Sequence, residues 1–162
     1  MDISVIRQAR AIIGELTPMD FDCGCLCEKV CCLPDEDGQG GVHLFPGEEA
    51  LMSSCSWCHI DAPTDSIAPI AMCDGPCRRD DRPLACRIFP LTPVKSGGKW
   101  KLRMDARARA MCPLVRSGIS AVKPEFARAV LKAVRLMASD PQGEAFLEKW
   151  QALEDQYRNF RL

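Results

Sequence analysis

What this chain has least of is uninterrupted apolar sequence. Its longest apolar run, Ile67 to Cys73, is far short of the roughly 20 residues that cross a bilayer, so no membrane association is expected. Near the start, Asp2, Arg7 and Arg10 interrupt the apolar stretch of about 7–15 residues that a secretory signal requires. The expectation is a cytoplasmic protein whose thiols stay reduced. The sequence also has no H-E-x-x-H, no G-x-S-x-G, no phosphate-cradling loop and no dinucleotide glycine fingerprint. No catalytic residue can therefore be named, and enzymatic activity is left open. Histidine occurs only at His43 and His59, both read as structural.

Against these absences stand 11 cysteines in 162 residues. Disulfides would need an oxidising compartment and fit an odd count poorly. Thiols that merely fill a core should scatter, whereas these cluster. The first group is Cys23, Cys25, Cys27, Cys31 and Cys32; the second is Cys73, Cys77 and Cys86; Cys112 follows, before Pro113. Thiolates three or four residues apart can meet at one ion when glycine and proline let the backbone curl round it. Metal ligation is the expected use, through Cys23, Cys27, Cys31, Cys32, Cys73, Cys77, Cys86 and Cys112. Eight ligands divide into two four-cysteine centres; one centre with spare thiols is the alternative. Cys31 and Cys32 are adjacent, and in extended backbone neighbouring side chains point to opposite faces. They should then serve different centres, or one should ligate while the other packs.

The metal is less legible. Zinc knuckles favour C-x-x-C pairs, and the eight cysteines form none. A cysteine followed by proline occurs in ferredoxin-type ligand runs. Zinc and an iron–sulfur cluster both stay open. Cys55-Ser56-Trp57-Cys58-His59 matches the C-x-x-C-H of haem attachment, a poor fit without export. A redox pair, auxiliary ligation or plain loop cysteines are the other readings.

Net charge is −1, unevenly spread: residues 15–65 carry eleven acids against Lys29, and residues 78–116 carry eleven basic residues against three acids. Such asymmetry can mark a nucleic-acid face. The preferred reading is that the halves pack together and the arginines offset anionic thiolates. Metal ions are thus the expected partners, a protein partner is left open, and nucleic acid is not expected.

The fold class expected is α+β in one domain over 1–162, with terminal helices around a small hairpin and irregular cysteine-rich loops. The metal-binding core would occupy 20–116 and a helical hairpin 120–160. Asp2 should cap a first helix with Ile3, Ile6, Ala9, Ile13 and Leu16 on one face, ending near Thr17-Pro18. Residues 35–41 read as a turn-rich loop, Val42 to Phe45 as a short strand, and about 53–86 as irregular. Ile88 to Val94 and Lys99 to Met104 flank Ser96-Gly97-Gly98 as a hairpin, with Pro90 and Pro93 placing its first strand at an edge. Pro124 opens a helix striped by Phe126, Ala127, Val130, Leu131, Val134 and Met137. Asp140-Pro141 opens another carrying Phe146, Leu147, Trp150, Leu153 and Tyr157.

Arg82-Pro83-Leu84-Ala85-Cys86-Arg87-Ile88-Phe89-Pro90 resembles the R-P-x-x-C-R-x-F-P hallmark of the bacterial cysteine-cluster family of zinc- or iron-chelating (CxxCxxCC, YkgJ-like) proteins. Asp22-Cys23-Gly24, Cys31-Cys32, Leu44 to Glu49, Cys73 to Cys77 and Cys112-Pro113-Leu114 look like a subgroup of it. The resemblance covers about residues 20–116. It implies a metal-chelating domain, with flagellin lysine methylase as a distant relative that joins such a cluster to methyl transfer. The sequence departs from the strict pattern: Cys23, Cys27 and Cys31 have three residues between them rather than two, and Cys25, Cys55 and Cys58 are additional. Two other readings follow: an iron–sulfur enzyme or electron carrier, and an anion or nucleic-acid binder acting through residues 78–116.

Overall fold

The Asp2 carboxylate accepts the Ser4 amide at 2.7 Å and so starts α1, Ile3–Ile13. Ile6, Ala9 and Ile13 on its inner face are fully buried. The helix stops before Thr17-Pro18 because Gly14 takes φ 53° and turns its amide back to the Arg10 carbonyl at 2.9 Å, a left-handed end that glycine adopts without steric cost. The computed structural model describes residues 1–34, 40–75 and 77–159. Most of the expected turn at 35–41 lies outside the described residues.

The protein is α+β. Pro124 sits in the first turn of α4, Pro124–Met137, whose inner face packs on α1. The Asp140 carboxylate accepts the Gln142 and Gly143 amides and opens α5, Pro141–Asn159. Phe146, Leu147 and Trp150 are buried as the pattern requires, but Tyr157 is exposed and Glu154 takes the buried place. Polar partners explain the exchange. Glu154 accepts the Ala106 amide at 2.6 Å and the Arg158 guanidinium at 3.0 Å, and also meets Arg103.

Strands β4, Leu91–Ser96, and β5, Lys99–Met104, form the expected hairpin. Gly97 and Gly98 both have positive φ, the geometry a two-residue hairpin turn requires. Residues 84–88 instead form the short helix α3, Leu84–Ile88. Two further strands lie inside the stretch expected to be irregular. With β1 as Gly41–His43, β2 as Cys58–Asp61 and β3 as Ile70–Cys73, a three-stranded antiparallel sheet forms in the order β1-β3-β2. A four-residue helix, α2, Glu49–Met52, precedes β2.

The main core joins α1, α3, α4, α5 and the hairpin around Phe45, Phe126, Leu147 and Trp150. Phe45 stacks on Trp150 at 5.6 Å and meets Phe146 at 4.9 Å, while the Trp150 indole donates to Thr92. None of the cysteine-loop residues 20–33 enters this core. A smaller cluster of Leu44, Met52 and Ala71 sits under the three-stranded sheet, with Cys55, Trp57 and Cys58 against it.

Candidate metal centre

The first cysteine group is carried on two single-turn 3-10 segments, Cys23–Leu26 and Val30–Cys32. Asp22 caps the first by accepting the Gly24 amide at 3.1 Å. Between the segments Glu28 and Lys29 take φ 50° and 58°, and the Lys29 amide returns to the Gly24 carbonyl. Two consecutive left-handed residues without glycine are uncommon; they turn the chain back between the two segments. Phe21, Leu26, Val30 and Leu33 are left exposed, Leu26 and Leu33 at the rims of the hollows described below.

The second group reaches the same region from three elements. Cys73 ends β3, Cys77 follows it, and Cys86 lies within α3. The start of α3 is fixed from the core. Glu48, fully buried, accepts the Leu84 amide at 2.7 Å and the Phe45 amide at 3.2 Å. Arg87, on the same helix, is buried and donates to the carbonyls of Arg82, Gly14 and Arg79. Burial raises the Glu48 pKa, with its two amide bonds and Arg10 and Arg87 opposing that rise.

These elements enclose two hollows. The larger, about 40 Å³, is lined by Cys31, Cys32, Cys73, Cys77 and Cys86, together with Arg82. The smaller, about 20 Å³, is lined by Cys23, Cys27, Cys31 and Cys112 among apolar neighbours such as Phe89 and Leu114. All eight cysteines singled out from the sequence thus line one hollow or the other, and Cys31 borders both. Cys25 is exposed and lines neither, while Cys55 and Cys58 stand beside the small core. Among the described residues, no three Cys, His, Asp or Glu side chains gather closely enough to hold an ion as they stand.

The adjacent pair is not extended as the sequence suggested. Cys31 and Cys32 share a 3-10 turn, and their thiols hydrogen-bond. That bond draws the Cys32 thiol down to about 6, against burial and with help from Arg82 and Lys29, while Cys31 is pushed up by the same bond and by burial. Burial, then the neighbouring Cys77, Cys58 and Cys32 thiols, raise Cys73 to about 11; burial and the thiols of Cys73, Cys32 and Cys77 push Cys86 up as well. Burial raises Cys23, and Asp22, Cys27 and Cys112 add to the rise. Burial also raises Cys112, opposed by the Leu114 and Val115 amides. In a cluster where each thiolate disfavours the next, a cation is the physical means of ionising several together.

Arg82 tests the fit. Burial would lower its pKa, but hydrogen bonding to Cys77 and the charges of Cys77, Cys32 and Cys86 hold it up. Its Nε is nevertheless buried without a partner. An unpartnered donor at the wall of a thiol-lined hollow suits an anionic sulfur acceptor. The donor set therefore fits a thiophilic metal. Sequence reasoning did not single out Glu48, because a glutamate at a turn carries no signal that it will be buried beneath a distant helix.

Four basic residues of 78–116 form ion pairs within the described residues, among them Lys95 with Glu144 and Glu148. Arg79 pairs with Glu15 at 3.3 Å, the one ion pair among the described residues that joins this region to the acidic stretch. Arg103 pairs with Glu154 and Asp155, Arg107 with Asp105. His43 is an edge partner of Trp150 at 6.1 Å. Among the described residues no helix is long and apolar enough to cross a membrane. No family model, curated protein or solved structure matches the chain.

Proposed function

We propose that this protein chelates metal through clustered thiolates. Cys32, Cys73, Cys77 and Cys86 would serve the larger hollow, and Cys23, Cys27, Cys31 and Cys112 the smaller. The observation that carries this is convergence: cysteines from four separate stretches line two adjoining hollows, with the unpartnered Arg82 donor at the wall of the larger. The resemblance to the cysteine-cluster family supports the same reading.

At the larger hollow we favour an iron–sulfur cluster over a single zinc ion. It is lined by five cysteines and, at roughly 40 Å³, is twice the volume of the smaller hollow. A cluster, whose irons and sulfides fill the centre, holds its thiolates farther apart than one ion does. When bound it would supply one-electron chemistry at a potential tuned by donors such as Arg82. The smaller hollow, lined by four cysteines in about 20 Å³, has the four-thiolate donor set of a structural zinc site. A chelating role without turnover accounts for the site; the resemblance alone suggests methyl transfer or electron transfer.

Anaerobic purification with an optical spectrum and iron, sulfide and zinc analysis tests this. Broad absorption near about 400 nm with iron and sulfide is expected. Colourless protein holding zinc would replace the cluster with structural zinc, and reductively prepared protein with no bound ion would end the proposal.

A further inference from the structure

Cys58 has no role in either proposed centre, yet the sheet sets it against a residue that does. It lies on β2, one of the two edge strands, directly opposite Cys73 on the central strand β3. The Asp74 amide donates to the Trp57 carbonyl at 2.9 Å, while the Cys73 amide donates away from β2, to the Gly40 carbonyl at 3.4 Å. Cys58 and Cys73 are therefore a non-hydrogen-bonded antiparallel pair. Residues so paired have Cα atoms about 4.5 Å apart and side chains on the same face. Disulfides span Cα separations of roughly 4.4–6.8 Å. Cys55, by contrast, precedes the strand and has no cross-strand partner in this register.

We propose that Cys58 and Cys73 are a modification site: a reversible cross-strand disulfide that withdraws Cys73 from the larger hollow. The pairing is independent of any ion; its effect on the hollow rests on the metal reading above. The oxidant is a low-molecular-weight disulfide such as oxidised glutathione. The Cys58 thiolate, on the accessible edge strand, attacks one sulfur of that disulfide. A mixed disulfide forms and one glutathione thiolate leaves. The Cys73 thiolate then attacks the Cys58 sulfur and expels the second glutathione thiolate. Two protein thiols are oxidised, one small disulfide is reduced to two thiols, and the protons pass from cysteine to glutathione. Three thiols, Cys32, Cys77 and Cys86, remain of the four proposed at that hollow.

The test has two arms. Metal-free, reduced protein is treated with excess oxidised glutathione, free thiols are alkylated, and linked peptides are mapped by mass spectrometry. A Cys58–Cys73 link is expected in wild type and in Cys55→Ser. A link between Cys55 and Cys58, or none at Cys73, overturns the proposal. In the second arm, as-purified protein is treated in the same way and ion release is followed. Wild type should lose metal several-fold faster than Cys58→Ser, and equal rates overturn the control of the hollow. Cys58→Ser that is purified as metal-poor as Cys73→Ser makes Cys58 a ligand and overturns it too. Protein that never carries an ion but forms the Cys58–Cys73 link refutes the metal reading and upholds the pairing.

Discussion

Cys86 lies on a helix whose first amide is held by a buried carboxylate, and its neighbour Arg87 is tied to three carbonyls. Its backbone is accordingly anchored on both sides. Cys86→Ser should lose the metal of the larger hollow and lower stability, whereas Cys25→Ser and Cys55→Ser should keep full metal content by elemental analysis. Arg82→Ala removes a donor and leaves the thiols in place; metal affinity should fall about 10–100-fold, as for other residues that support metal ligands, measured by chelator competition. Glu48 makes a pH prediction. Its native pKa lies above the ordinary 4.5 because burial disfavours the charge, so the native state holds that proton more tightly than the unfolded chain. Its contribution is fully present below about 4.5 and is lost as pH climbs through the raised native value. Glu48→Gln should flatten that part of the stability–pH curve in denaturant titrations.

At the scale of elements, the buried Glu154 carboxylate is one of several ties between α5 and the hairpin, beside the Trp150–Thr92 and Gln151–Lys95 hydrogen bonds. Glu154→Ala strands the Ala106 amide and leaves Arg103 and Arg158 without their buried partner. Urea titration should show a loss of about 2 kcal/mol. The long helices were legible because each carries a local start signal, at Asp2, Pro124 or Asp140, and a stripe of period 3.6. The hairpin was legible from Gly97-Gly98. Strands β2 and β3 were not: Cys58–Asp61 and Ile70–Cys73 are four residues each, and nothing local announces their pairing. Helix α3 was missed because Leu84 to Cys86 fell at the end of the stretch read as irregular and Ile88 was read as opening the strand, while its true anchor, Glu48, lies far off in sequence. For the candidate site, clustering named the eight cysteines, and the two hollows accommodate all of them. The Cys31–Cys32 geometry was misjudged, since a 3-10 turn places neighbours about 120° apart rather than on opposite faces.

In the whole molecule, the cysteine loop stands apart from the main apolar core, whereas Cys86 sits on α3, whose Leu84, Ala85 and Ile88 belong to that core. The main core draws nothing from residues 20–33, so a chelator should not unfold the protein globally. Amide exchange should accelerate at 22–33 and 73–86 while α1, α4 and the inner turns of α5 keep their protection; uniform acceleration would instead mean that the ion holds up the entire fold. The exposed apolar side chains of the cysteine loop have a practical consequence. Phe21, Leu26, Val30 and Leu33 already face water, and a loop released from its ligands would be free to bring them together with those of other copies. Concentrated samples stripped of metal should turn cloudy in light scattering where replete samples stay clear, and a polar replacement at Phe21 should delay the clouding.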